Sequence, residues 1–177
     1  MITTSRLLLR PWRKTDLAAM AAINADERVM KYFPSTQDEE QTKGFMGRQH
    51  LLQKERGYCF FAAELLETQE VIGFIGLAYV TMEADFTPCV EIGWRLHPDT
   101  WGKGLATEGA KACIDFGFNE RDLTEIYSYT PLNNLPSRRI MEKIGMEQFS
   151  TFKHPGLGDF PEIEECVVYR ISRPETT

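Results

Sequence analysis

Trp101-Gly102-Lys103-Gly104-Leu105-Ala106-Thr107 is the stretch whose residue types and spacing could do chemistry. Two glycines with one residue between them let a turn adopt positive φ and let a ligand lie directly against the backbone. The residues that follow read as a helix, because Leu105, Gly109, Ala112, Cys113 and Phe116 recur at three- and four-residue steps. The first amides of such a helix have no intrahelical partner and point out of its end, where the helix dipole adds partial positive charge. Turn and helix start together make an anion site, suited to phosphate.

Upstream, Val90, Ile92, Trp94 and Leu96 alternate with Glu91, Gly93 and Arg95 as far as Pro98, the period of a strand. Residues 91 to 119 therefore read as strand, glycine turn and helix. Two better-known phosphate signatures do not fit this turn. A nucleotide-triphosphate loop needs Gly-x-x-x-x-Gly-Lys-Ser/Thr, whereas Gly104 follows Lys103, and Leu96 or His97 stands where the first glycine belongs. A dinucleotide turn needs Gly-x-Gly-x-x-Gly, and Thr107 takes the place of its third glycine.

The elements that must hold this turn follow from the rest of the chain. Its 177 residues, 42% hydrophobic and 26% charged, suit one globular domain over 1–177 with a substantial core. Ser5 to Trp12 reads as a strand, Asp16 to Ala25 as a short helix, and Val29 to Pro34 as an aromatic loop or edge segment. A polar helix capped by Ser35 or Thr36 runs on to Gly57. Strands over Tyr58 to Leu65 and Val71 to Val80 form a hairpin. After the opening stretch come a strand at Thr124 to Thr130, a helix at Asn134 to Lys143, and strands at Met146 to Phe152 and Ile163 to Ile171. The order β-α-α-β-β-β-α-β-α-β-β predicts an α/β (α+β) fold. Its sheet is mixed and mostly antiparallel, with helices flanking it and a right-handed crossover that makes strands 88–96 and 124–130 parallel neighbours. Ligands prefer the crevice at the carboxyl ends of such strands.

A net charge of −6 and a pI near 5.2 argue against nucleic acid and against an anionic membrane surface as partners, and suit an amine-bearing one. Met1 to Arg6 carries no signal-peptide pattern, and no apolar run approaches the ~20 residues of a membrane span, so a soluble cytoplasmic protein is expected. Cys59, Cys89, Cys113 and Cys166 lie far apart in apolar contexts and read as reduced core residues. His50, His97 and His154 have no second His or Cys at ligand spacing, and no metal is expected. The sequence leaves a homodimer open.

The strand, Pro98 and Trp101 to Glu108, followed by Asn134-Leu135-Pro136-Ser137 and Glu142-Lys143-Ile144-Gly145-Met146, together resemble the GNAT N-acetyltransferases. Thr4-Ser5-Arg6-Leu7-Leu8-Leu9-Arg10-Pro11-Trp12 resembles the subgroup that acetylates ribosomal protein N-termini, the RimJ/RimL type. The resemblance spans residues 4 to about 171 and implies a GNAT-like acyl-CoA acyltransferase fold whose parallel pair is splayed. It also implies acetyl-CoA as cosubstrate, with the pyrophosphate on the turn formed by Trp101, Gly102, Lys103, Gly104, Leu105, Ala106 and Thr107. Trp101 departs there from the family's usual Arg or Gln. The backbone of Trp94 and Leu96 would pair with the pantetheine arm like an added strand, and the Asn134 side chain would touch the same arm. The family's frequent acid, a tyrosine, falls on Met141, a thioether that cannot donate a proton. In the RimJ/RimL-like subgroup a serine one turn earlier takes the role, and Ser137 stands there, suited to hydrogen-bonding the departing thiolate or relaying through water.

The chemistry so implied is transfer of acetyl to a primary amine, either the α-amine of a protein or peptide or a small-molecule amine. Glu91 is the first candidate base, drawing the ammonium proton directly or through water. A backbone amide at the end of strand 90–96 is the expected oxyanion donor. Trp12, Tyr32, Phe33 and Phe86 could line an acceptor pocket or simply be core, and His154 lies on a loop that could cover it. With no cysteine in a nucleophile motif, direct attack in a ternary complex is expected over a covalent acetyl-enzyme. The alternative is a non-catalytic acyl-CoA-binding sensor or scaffold, which the Met141 and Trp101 departures would suit.

Overall fold

In the computed structural model, which describes residues 1–174, a short strand β1 (Ile2–Thr3) turns back into β2 (Leu7–Arg10). A single 3₁₀ turn leads into α1 (Leu17–Asn24). The next helix, α2 (Glu39–Arg56), starts later than Ser35 or Thr36 would place it. Its cap is Asp38, whose carboxylate accepts the Gln41 amide at 2.8 Å while the Gln41 side chain accepts the Asp38 amide at 2.9 Å. The Gln37 amide is instead committed to the Asn24 carbonyl, which keeps residues 34 to 37 out of the helix. Gly57, at φ 76°, stops α2 in the left-handed conformation.

The hairpin follows as β3 (Phe60–Leu65) and β4 (Val71–Val80), then β5 (Cys89–Leu96), α3 (Leu105–Glu120) and β6 (Glu125–Pro131). The chain closes with α4 (Leu135–Lys143), β7 (Glu147–Lys153), a one-turn α5 (Pro161–Glu164) and β8 (Glu165–Ser172). Strands β1 and α5 are the two elements the sequence did not announce, being too short to show a period. One sheet holds all eight strands in the order β1-β2-β3-β4-β5-β6-β8-β7. All neighbours are antiparallel except β5 and β6.

Alternation assigns the two faces of the sheet. Leu7, Leu9, Phe61, Ile75, Leu77, Ile92, Ile126 and Val167 form the main core with Leu105, Cys113, Ile114 and Phe116 of α3. On the opposite face, α1 and α2 bury Met20, Ile23 and Met46 against Trp12, Ala62 and Phe74. A third cluster on that same face, Phe86, Cys89, Tyr127 and Val168, carries Tyr129 and Phe152 at its edge. All four cysteines are free and buried. Among the described residues no helix is long and apolar enough to cross a membrane, and no group of His, Cys, Asp and Glu is placed to hold a metal ion.

Candidate active site

The parallel pair is a single rung, Glu91 opposite Tyr127. The Ser128 hydroxyl donates to the Ile92 carbonyl at 2.9 Å, and from there to Leu96 β5 is paired only on its β4 side. Ile92 thus turns its carbonyl towards β6, while the His97 amide turns to β4 and donates to the Ile72 carbonyl at 2.8 Å. Backbone groups alternate along a strand, so those of Trp94 and Leu96 face the gap. Trp94 offers the edge an added strand needs. The Leu96 carbonyl already accepts the Trp101 indole N–H at 2.8 Å.

That bond explains the residue at Trp101. With Thr100 bonded back to His97 through both its amide, 3.0 Å, and its hydroxyl, 2.6 Å, the indole ties the turn to the strand end. Gly102 and Gly104 follow at φ 73° and 77°, a conformation other residues adopt only with strain. Gly104 is also the cap position of α3 and has no side chain to cap with, so the amides of Leu105, Ala106 and Thr107 remain for an anion. Lys103 is exposed beside them.

A carboxylate, Glu108, sits in the first turn of α3, where it would repel phosphate. It is neutralised from the N-terminal segment. The Glu108 carboxylate accepts from the Thr4 hydroxyl at 2.6 Å, the Ser5 hydroxyl at 2.9 Å and the Arg6 Nε at 2.7 Å. Partial burial works against its ionisation, but the Thr4, Arg6 and Ser5 hydrogen bonds outweigh it and hold the carboxyl at about 2. The same guanidinium donates to the Lys103 carbonyl at 2.8 Å, so Arg6 pins turn and helix together. The sequence showed Arg6 only as part of an N-terminal motif.

Across the gap, Asn134 is the cap of α4. Its Oδ1 accepts the Ser137 amide at 3.3 Å, and its Nδ2 donates to the Thr130 hydroxyl at 2.8 Å, fixing α4 to the end of β6. Ser137 stands in the first turn, partly exposed, and its hydroxyl has no protein partner among the described residues. Met141, one turn on, is 1% exposed and belongs to the main core.

Glu91 lies on the face away from α3, together with Tyr127 and Tyr129 of β6. Burial pushes its carboxyl up to about 7, and the Tyr129 hydroxyl nearby draws it part of the way back. Burial, with the Glu91 charge beside it, raises the Tyr129 phenol far above its ordinary value, so Tyr129 stays protonated. Rings of Phe152, His154 and Phe86 stand 5.6, 5.8 and 5.9 Å from that of Tyr129. Burial keeps His154 neutral, and its Nδ1 accepts the Gly156 amide at 3.1 Å, which leaves the ring proton on Nε2. Trp12 and Phe86 are core, while Phe33 is exposed. His97 caps the turn after β5 and is absent from this cluster. Tyr129 was missed by sequence reasoning; its position two residues beyond the rung that pairs with Glu91 is a signal only once the register is known.

The description "Acetyltransferase (GNAT) domain" matches residues 6–147. The chain belongs to the GNAT acetyltransferases. This acetyltransferase is 35% identical over 153 residues to the uncharacterized N-acetyltransferase YnaD of Bacillus subtilis, covering 86% of this chain and 85% of YnaD. Its fold is similar to the crystal structure of a GNAT acetyltransferase from Bacillus anthracis, with TM-score 0.80, 30% identity and 97% of each chain covered. It is also similar in fold to RimL, a ribosomal L7/L12 α-N-protein acetyltransferase in complex with coenzyme A, with TM-score 0.77, 14% identity and 96% and 95% covered. The acetyl donor is acetyl-CoA. The residues present fit it: a two-glycine turn at positive φ, uncapped helix amides and the free edge at Trp94.

Proposed function

We propose that this acetyltransferase, a single domain over 1–177, moves the acetyl group to a primary amine by direct attack in a ternary complex. Residues 175–177 lie outside the described residues. The observation that carries the reading is Glu91, a carboxyl at about 7 placed beside the open end of the β5–β6 pair. A base near neutrality takes the ammonium proton yet is ionised at working pH. Tyr129 positions it. The Trp94 amide, facing the gap, is the donor for the developing oxyanion, worth about 3 kcal/mol if well aimed. Ser137 hydrogen-bonds the leaving thiolate from the far side. Asn134, bonded to Thr130 and Ser137, holds α4 in register for this and retains an N–H for the pantetheine arm.

The cysteines support direct attack over an acetyl-enzyme. Burial holds the thiols of Cys59 and Cys89 up at about 12 and that of Cys166 at about 11, and raises Cys113 further, so none supplies a thiolate. The N-terminal motif and the RimL-like fold support the RimJ/RimL type, in which the acceptor is a protein or peptide α-amine. Thiol release from acetyl-CoA against peptides of varied N-termini, amino acids, polyamines and aminoglycosides tests the reading. Turnover of at least one amine is expected; silence across the panel with tight acetyl-CoA binding would instead favour the acyl-CoA sensor.

A further inference from the structure

Arg95 is a partly buried cation that the fold leaves without an anion. It shares the β5 face of Glu91 and Gly93, opposite α3 and so turned away from the phosphate turn. Its Nη1 donates to the Asn24 Oδ1 at 2.7 Å, and its guanidinium carbon lies 4.3 Å from the centre of the Phe33 ring and 5.4 Å from that of Phe74. The Nε is buried with no hydrogen-bond partner, and no carboxylate among the described residues comes within ion-pair distance of it. Burial pulls the guanidinium down to about 10, which leaves it charged at neutral pH.

A fully buried arginine shows what the same chain does for structural purposes. Arg10, 3% exposed, meets Asp16 at 2.8 Å and Glu64 at 2.6 Å. A protein with net charge −6 has carboxylates to spare, yet Arg95 receives only an amide oxygen and two rings. The amide is itself fixed, because Asn24 Nδ2 donates to the Thr42 hydroxyl at 2.9 Å and so turns Oδ1 to Arg95. The Gln37 amide bonds the Asn24 carbonyl at 2.9 Å, and Gln37 Oε1 is another buried atom without a partner. Unmatched polar atoms thus flank Asn24 on both sides. A buried donor without a partner on a charged group is costly, and its retention calls for a ligand that matches it.

We propose that Arg95 sets acceptor specificity and that the amine acetylated carries an oxyanion, a carboxylate or a phosphate, several bonds from the reacting nitrogen. The inference rests on the transferase reading above. A strand advances about 3.3 Å per residue, so an amine reacting over Gly93, between Glu91 and Arg95, lies roughly 7 Å along the strand from Arg95. Phe33, 44% exposed, forms the outer wall against which the anionic end would slide in.

The test uses aminohexanoate, aminopropyl phosphate and diaminohexane as acceptors for the full chain. The better anionic amine should exceed the diamine in kcat/KM by ~10², the scale of a charge-assisted bidentate pair. Arg95→Met should erase that preference through KM with the acetyl-CoA Kd unchanged, and Arg95→Lys should keep part of it. The carboxylate and phosphate arms say which oxyanion the site takes. Calorimetry of the two anionic amines against the coenzyme A-loaded protein, with melts showing each variant folded, gives a readout independent of turnover. Binding that Arg95→Met abolishes supports the proposal even if no acetyl moves, in which case the transferase reading falls and the anion site stands. No binding to the unaltered protein, equal binding to the variant, or preference for the diamine overturns it.

Discussion

Replacing Glu91 by glutamine should make the protein more stable at pH 8 while removing most of its activity. The carboxyl rises from an ordinary 4.5 to about 7 because burial penalises its charge. Between those pH values the native state binds more protons than the unfolded chain, so stability falls as pH rises through the window. Two and a half units at 1.36 kcal/mol each set the cost of holding the ionised side chain at about 3 kcal/mol above pH 7, and near zero below pH 4. Glutamine keeps the shape and an acceptor oxygen, without the charge. For a domain of this size 1 kcal/mol moves Tm by about 2–4 °C, so Glu91→Gln should melt about 6–12 °C higher than the unaltered protein at pH 8 and level with it at pH 4. Steady-state assays on the same samples should show kcat/KM rising with pH through a limb near 7 in the unaltered enzyme. In the variant that limb should vanish and the rate fall by ~10² to 10⁴. A variant that melts no higher at pH 8, or that keeps the limb, refutes the placement of a buried base at this position.

Three further substitutions probe the remaining parts. Gly104→Val puts a side chain where the nearest protein atom, Arg6 Nη2, is 3.7 Å from the new Cβ, so the clash falls on the phosphate; calorimetric affinity for acetyl-CoA should drop by ~10² or more, and an unchanged value would remove the cradle. Ser137→Ala should lower kcat by ~10² with little change in the acetyl-CoA Kd, and full turnover would take Ser137 out of the mechanism. Arg10→Met strands Asp16 and Glu64 as buried carboxylates and should cost about 3–5 kcal/mol in urea unfolding at pH 8; a loss under 1 kcal/mol would mean the triad is solvated.

The turn and helix start proposed to hold the cofactor were legible in the sequence as backbone geometry because they are local. Gly102, Gly104 and the α3 amides are contiguous, and their positive φ and uncapped helix start follow from turn chemistry. Even there the sequence could not say why Trp101 replaces Arg or Gln, since its indole reaches back to the Leu96 carbonyl. Nor could it say that Glu108 is cancelled by Arg6, 102 residues away. The acceptor side is non-local throughout. Glu91 faces Tyr127 across the one parallel rung, with Tyr129 two residues on, and Arg95 owes its lone amide partner to Asn24, 71 residues earlier. In the sequence both Glu91 and Arg95 are merely the polar half of an alternating strand. What separates them from solvated residues is that α1, α2 and the aromatic cluster cover their face of the sheet, which raises the pKa of one carboxyl and leaves one guanidinium without an anion. On the proposed reading the splayed strand serves two ligands with different physics. Its edge would offer backbone to a cosubstrate common to the family, and its covered face would offer two charged side chains whose spacing selects the amine.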